Sequence, residues 1–115
     1  MKIIIAGSRS VTDYKTVEKF ITITHSAVVL DEIVSGCALG VDKFGEQYAK
    51  QGGIPVAKFP ANWGEHGKSA GFIRNKQMAD YADALIAIWN GESRGTKHMI
   101  DTMLSSKKPV FVWFV

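Results

Sequence analysis

The sequence predicts a single-domain α/β fold: a doubly wound parallel sheet of about five strands with helices on both faces. Three observations predict it. Short apolar runs alternate with helical patterns along the whole chain. Within the runs, successive rather than alternate positions are apolar, as strands covered on both faces require. The 115 residues, 46% hydrophobic and 22% charged, fit one globular domain over residues 1–115.

The first strand is Lys2 to Ala6 (KIIIA), β-branched and uninterrupted. A first helix from about Asp13 to His25 follows, with Tyr14, Val17, Phe20 and Ile21 on one face. The second strand is Glu32 to Ser35, with Val29 as an alternative start. The next helix presents Val41, Phe44, Tyr48 and Ala49. Val56 to Phe59 is the third strand. Pro60 to Lys68 (PANWGEHGK) reads as a long loop, and long loops in compact domains are often functional. A helix from about Ser69 to Tyr81 turns Ile73 and Met78 to the core. Ala84 to Trp89 (ALIAIW) is the fourth strand. The last helix carries the stripe Met99, Ile100, Met103, Leu104, its methionines core filler rather than a cofactor box. Lys107 and Lys108 end that helix, where cations favour the negative dipole end. Pro109 to Phe114 (PVFVWF) is the fifth strand, and the segment FVWFV serves equally as buried strand or interface.

Composition excludes several classes. The formal charge of +3 permits an anionic ligand, but no dense Lys/Arg block marks a nucleic-acid surface. One cysteine, Cys37, excludes an intrachain disulfide framework and a four-cysteine zinc site, and suits a cytoplasmic location. MKIIIAGS is too short an apolar core for a signal peptide, and no run approaches the roughly 18 apolar residues of a membrane span. His25, His66 and His98 are too scattered to propose a metal site.

In an open parallel sheet, ligands sit over the carboxyl ends of the strands. Four junctions occupy that edge: Gly7-Ser8-Arg9-Ser10, then Ser35 to Asp42 (SGCALGVD), then the long loop to Gly71, then Asn90 to His98 (NGESRGTKH). Small residues let backbone N–H groups approach a ligand, and helix N-termini aim those donors at an anion. Arg94, Lys97 and His98 surround a helix start, where cations oppose the dipole. A phosphate resolves that conflict; side chains pointing into solvent are the plain alternative. Arg9, just past a central strand, carries the same choice more mildly. Ser8 and Ser10 read equally well as ligand contacts and as simple turn formers or N-caps. Asp42 either stabilises the first turn of its helix, bonds ribose hydroxyls or orders the neighbouring glycine loop. Trp63 either packs its loop down or stacks on a base, with Asn62 beside it. Cys37 is better read as a packed residue than as a nucleophile, since no neighbouring base is identifiable. Gly64 to Ser69 (GEHGKS) lacks the first glycine of a P-loop, Asn62 standing there, and Gly36 to Gly40 does not satisfy G-x-G-x-x-G.

GSR after the first strand, SGCALGVD after the second, AGFIRNKQM in the third helix and WNGESRGTKHMID after the fourth strand together resemble the SLOG superfamily. That superfamily joins DprA/Smf proteins to LOG phosphoribohydrolases, and the resemblance is greatest to its small YspA/YpsA-related branch of bacteria and phages. It covers the whole chain and implies a Rossmann-like sheet with a nucleotide-type ligand, no other cofactor being required. With the reading of the junctions, it gives as expected phosphate or ligand contacts Gly7, Ser8, Arg9, Ser35, Gly36, Ala38, Gly40, Asp42, Arg74, Asn75, Ser93, Arg94, Gly95 and Thr96; Asn62 and Trp63 are the base-stacking candidates from the loop itself. LOG enzymes cleave a base–ribose bond with an Arg in R-K-x-x-M and a Glu in P-G-G-x-G-T-x-x-E. Arg74-Asn75-Lys76-Gln77-Met78 is similar to the first motif, with Asn75 replacing lysine. In the second, Met99 stands where the Glu belongs and Glu92-Ser93 replaces the glycine pair. Methionine neither stabilises an oxocarbenium-like centre nor activates water. The expectation is therefore a binder of a phosphorylated nucleotide or NAD/ADP-ribose-like molecule, acting as sensor or sequestering module. The alternatives are an N-glycosidase using Arg74 and Asp42, and a single-stranded DNA binder, which the small net charge disfavours. Family analogy also implies homodimerisation through helix faces.

Overall fold

A computed structural model describes residues 1–115. Five parallel strands form one sheet in the order β3-β2-β1-β4-β5: β1 (Lys2–Gly7), β2 (Glu32–Ser35), β3 (Val56–Lys58), β4 (Ala84–Trp89) and β5 (Val110–Phe114). The long helices are α1 (Tyr14–His25), α2 (Val41–Gly52), α4 (Ala70–Tyr81) and α5 (Arg94–Ser105), with a short α3 (Trp63–His66) between β3 and α4. None is long and apolar enough to cross a membrane.

The absence of alternation in KIIIA has its consequence in two cores. Ile3 and Ile5 pack with Val17 and Ile21 of α1 and Val41 and Ala49 of α2. Ile4 and Ala6 point the other way, onto Met78 and Ala79 of α4 and Met99, Ile100 and Met103 of α5. Ile3, Ile4 and Ile5 are fully buried, each contributing roughly 1.5–3 kcal/mol of transfer free energy. Gly45 permits the closest approach of α2: a Cβ there would lie 2.8 Å from Cβ of Ile5. β1→β2→β3 steps one way across the sheet, and β4 then β5 fill the other side, so strand order reverses between β1 and β4.

Several details depart from the sequence reading. Pro60 to Lys68 is not all loop: Asn62 caps α3, its Oδ1 accepting from Glu65 N at 3.1 Å, and a 3₁₀ turn spans Gly67–Ser69. β2 begins at Glu32, and Val29 is exposed. β3 ends at Lys58, one residue early. Asp13 caps α1 from outside, its Oδ1 accepting from Lys15 N. On α4, Ile73 is only half-buried and Asn75 takes the inward place. Leu104 leaves the α5 stripe at 57% exposure, because the stripe closes on Met103. Lys108 serves a different helix end: its Nζ donates to Ala79 O at 2.6 Å and Ala82 O at 2.8 Å, at the C-terminus of α4. β5 is an edge strand whose Trp113 stacks on Phe20 at 4.7 Å while Phe114 remains exposed.

Candidate functional site

At the reversal of strand order, the loops after β1 and β4 are tied to each other. Ser8 is buried; its N–H donates to Ile88 O and its Oγ accepts from Asn90 N, both at 3.0 Å. Asn90 Nδ2 reaches Ser10 Oγ at 3.4 Å. Asn90 Oδ1 accepts from Glu92 N and Ser93 N, a local side-chain turn that delivers Ser93 to the start of α5. Ser93 caps that helix, its Oγ 3.1 Å from Thr96 Oγ1.

The loop after β2 is held differently. Ser35 is buried, donating to Glu46 Oε2 at 2.6 Å and accepting from Cys37 N at 3.1 Å. Ala38 N donates to Asp42 Oδ2 at 3.3 Å. Gly40, at φ +82°, precedes α2 without a side-chain cap. Arg74 comes in from α4: Nη1 bonds Gly36 O, and Nε donates to Asn75 Oδ1 at 3.0 Å. The absence of a side chain at Gly36 leaves room for these contacts, since a Cβ there would lie 2.5 Å from Arg74 Nη1 and 2.8 Å from Asp42 Oδ2 and would displace those side-chain ends.

These segments enclose a cleft of about 390 Å³. Gly7, Ser8, Arg9, Ala38, Asp42, Arg74, Asn75, Ser93, Gly95 and Thr96 line it, as the sequence reading grouped them. A second cleft of about 150 Å³ adjoins it, sharing Arg9, Ala38 and Arg74 and adding Gly36, Cys37 and Trp63. Arg9, Gly36, Arg74 and Gly95 thus converge on one edge of the sheet. Other expected residues stand apart. Ser35 is turned inward to Glu46, Gly40 shapes the turn into α2, and Asn62 is occupied in capping α3. Arg94 is exposed and outside both clefts. Lys97 meets Asp101 at 2.7 Å, so an ordinary ion pair relieves its conflict with the dipole. His98 is half-buried against Phe72 and Asn75. Ser10, which reads equally well as a turn former, also lines the cleft; sequence reasoning missed Asn90, for which the Asn-Gly dipeptide at 90–91 was the available signal. Met78 and Met99 form an apolar floor that periodicity assigned to core alone.

The cleft is positive and donor-rich. None of the chain's three arginines has a carboxylate within 4.0 Å, the six ion pairs all involving other cations. Burial pushes the Asp42 carboxyl up to about 6, against the Ala38 N–H and the charges of Arg74 and Arg9, with Glu46 adding repulsion. Burial also lowers the His98 imidazole, Asp101 opposing weakly. The anchored guanidinium of Arg74, the exposed one of Arg9, serine and threonine hydroxyls and a helix N-terminus suit an oxyanion of phosphate type. Asp42 adds a group able to hold or yield a proton near neutral pH.

Sheet order and cleft together define a Rossmann-like α/β domain with its polar site at the strand-order switch. The profile of the YAcAr family (YspA, cpYpsA-related SLOG) matches residues 1–66, more than half of the chain. The Gene 61 protein of Mycobacterium phage D29 is 32% identical over 116 residues, spanning 95% of this chain and 93% of that protein. The chain belongs to the YspA, cpYpsA-related SLOG family. Among solved structures, DNA processing protein A (DprA) from Streptococcus pneumoniae superposes with a TM-score of 0.76 at 20% identity, over 96% of this chain and 49% of that one. This chain therefore spans about half the length of that structure, and the likeness establishes the shared fold.

Proposed function

We propose that the chain binds a phosphorylated nucleotide or an NAD/ADP-ribose-like ligand over the carboxyl ends of its strands, as a sensor or sequestering module. One observation carries this reading: Arg9 and Arg74, neither paired with a carboxylate, face a single cleft beside the α5 N-terminus. In this reading the hydroxyls of Ser8, Ser93 and Thr96 share the phosphate oxygens. Arg74, anchored through Gly36 and Asn75, supplies a preset guanidinium. Trp63, 56% exposed beside the smaller cleft, offers a face on which a base stacks. Native mass spectrometry of gently purified protein, then calorimetry with AMP, NAD and ADP-ribose, tests it. A co-purified nucleotide or saturable binding lost in Arg9→Ala supports the reading; no binding of any of the three overturns it.

A second reading, an N-glycosidase, is favoured by one feature: the Asp42 carboxyl lines the same cleft and titrates near 6. Met99, buried in the floor, leaves Asp42 as the carboxylate of the cleft. Chromatography for free base after incubation with the same three compounds separates the readings. Base release abolished by Asp42→Ala establishes hydrolysis, whereas intact ligand after prolonged incubation leaves a binder.

A further inference from the structure

Asn75 is a buried amide whose hydrogen-bonding groups are set by three different neighbours. Its Oδ1 accepts from Arg74 Nε at 3.0 Å. Its Nδ2 donates to Gly95 O at 3.3 Å and lies 3.1 Å from His98 Nδ1. The amide has only one workable orientation. A guanidinium nitrogen only donates and a backbone carbonyl only accepts, so Oδ1 must face Arg74 and Nδ2 must face Gly95. His98 Nδ1 is consequently opposite a donor and must accept, which places the neutral ring's proton on Nε2.

We infer that His98 is a positioning residue for Arg74, acting through the Asn75 amide: neutral His98 locks the guanidinium in place, and a protonated His98 releases it. Once Nδ1 carries a proton, it faces the Nδ2 donors and the hydrogen bond is lost. Rotating Asn75 to offer Oδ1 to His98 turns Nδ2 toward Arg74 Nε and Oδ1 toward Gly95 O, setting donor against donor and acceptor against acceptor. The first response removes a support of the Asn75 amide and loosens its hold on Arg74; the second removes that hold outright, leaving Arg74 its contact with Gly36 O. The groups around His98 agree with this arrangement. Phe72 of α4 stacks on the ring at 4.3 Å, Asn75 is its polar neighbour from that helix, and on α5 Asp101 acts on it while paired to Lys97. Burial favours the neutral ring. The consequence for ligand affinity rests on the nucleotide-binding reading; the coupling of His98 to Arg74 does not.

The test uses NMR of the isotope-labelled full chain between about pH 5 and about pH 8, across the titration of an ordinary imidazole. With three arginines and three histidines in the chain, the Arg Nε–H and imidazole spectra are sparse. Arg74→Lys identifies the Arg74 signal and His98→Gln identifies the His98 signals. The expected result is a neutral His98 protonated at Nε2. The Arg74 Nε–H signal moves and exchanges faster with the His98 midpoint, and that inflection disappears in His98→Gln. Asp42 also acts on Arg74 and titrates near 6, so the comparison is made in the Asp42→Asn background. There, an Arg74 signal indifferent to His98 titration, an inflection retained on adding His98→Gln, or a neutral ring protonated at Nδ1 overturns the inference. Affinity for inorganic pyrophosphate supplies a second arm. A merely electrostatic His98 would make wild type bind progressively better than His98→Gln as pH falls; loss of Arg74 positioning makes it bind progressively worse, by severalfold. Failure of pyrophosphate to bind at any pH counts against the binding reading alone, and the NMR arm still decides the coupling.

Discussion

Arg74 Nη1 donates a hydrogen bond to the carbonyl of Gly36, joining the middle of α4 to the loop that follows β2. The contact exists because Gly36 has no side chain: a Cβ would meet Nη1 at 2.5 Å and Asp42 Oδ2 at 2.8 Å. Both obstructed atoms are ends of side chains, so the backbone has no reason to move. Gly36→Ala is expected to keep the fold, with stability within about 1 kcal/mol of wild type. Its affinity for the proposed nucleotide ligand should fall about tenfold or more as a guanidinium contact is displaced. Thermal melts beside calorimetry check the dissociation of the two effects.

The same substitution at Gly45 has the opposite outcome. There a Cβ would meet Cβ and Cγ2 of Ile5, at 2.8 and 2.9 Å, inside the fully buried β1. Neither α2 nor the strand can yield without opening the core. Gly45→Ala should destabilise the protein by about 1–3 kcal/mol. Denaturant unfolding measures the loss, and a wild-type midpoint would contradict the close packing of α2 on β1.

Asp42 makes stability depend on pH. Its folded value of about 6 lies above the ordinary 3.8, so the native state binds the proton more tightly. Stability from this group is fully present below pH 3.8 and is lost as pH rises through the folded value of about 6. The loss is on the order of 3 kcal/mol. Asp42→Asn keeps an oxygen for the Ala38 N–H and carries no charge. It should remove that decline and match or exceed wild-type stability above pH 6, read as denaturation midpoints across the range.

Arg9 and Arg94 resemble each other in sequence, each following a strand beside serine and glycine, but only Arg9 lines the clefts. Arg9→Ala should weaken the proposed nucleotide binding about tenfold or more, through loss of a charge-assisted contact. Arg94→Ala should change it by less than about threefold, the scale of a screened surface charge. Equal losses in both variants would relocate the phosphate to the outer turn of α5.

The strands were legible because burial on both faces leaves unbroken apolar runs, and KIIIA and ALIAIW admit no other economical reading. The edge holding the site was legible for a topological reason: parallel crossovers return every loop after a strand to the same side. What escaped depended on distant partners. The motif placed Asn75 at the site, but its burial was not legible, because Gly95 and His98 arrive from α5 to satisfy it. α4 has the weakest apolar periodicity of the four long helices, which let Ile73 stand in for it. Lys108 could not be assigned to α4 because Ala79 lies 29 residues away. α3 buries no side chain, so hydrophobic periodicity had nothing to register, although Asn62 three residues before Glu65 was a capping signal.

β1 lies between β2 and β4, and its pairing with β4 matches Ile3 to Ala84 and Gly7 to Ile88. During synthesis the first strand leaves the ribosome long before that neighbour exists. Until α4, β4 and α5 have emerged, Ile4 and Ala6 lack the packing that covers them in the finished domain. Closing so distant a pair is slow, and unfinished sheets are prone to aggregate. Translation arrested before Ala84 therefore leaves a sticky fragment for chaperones or proteases, and the pocket at the β1–β4 seam can be assembled only once β4 and α5 have emerged.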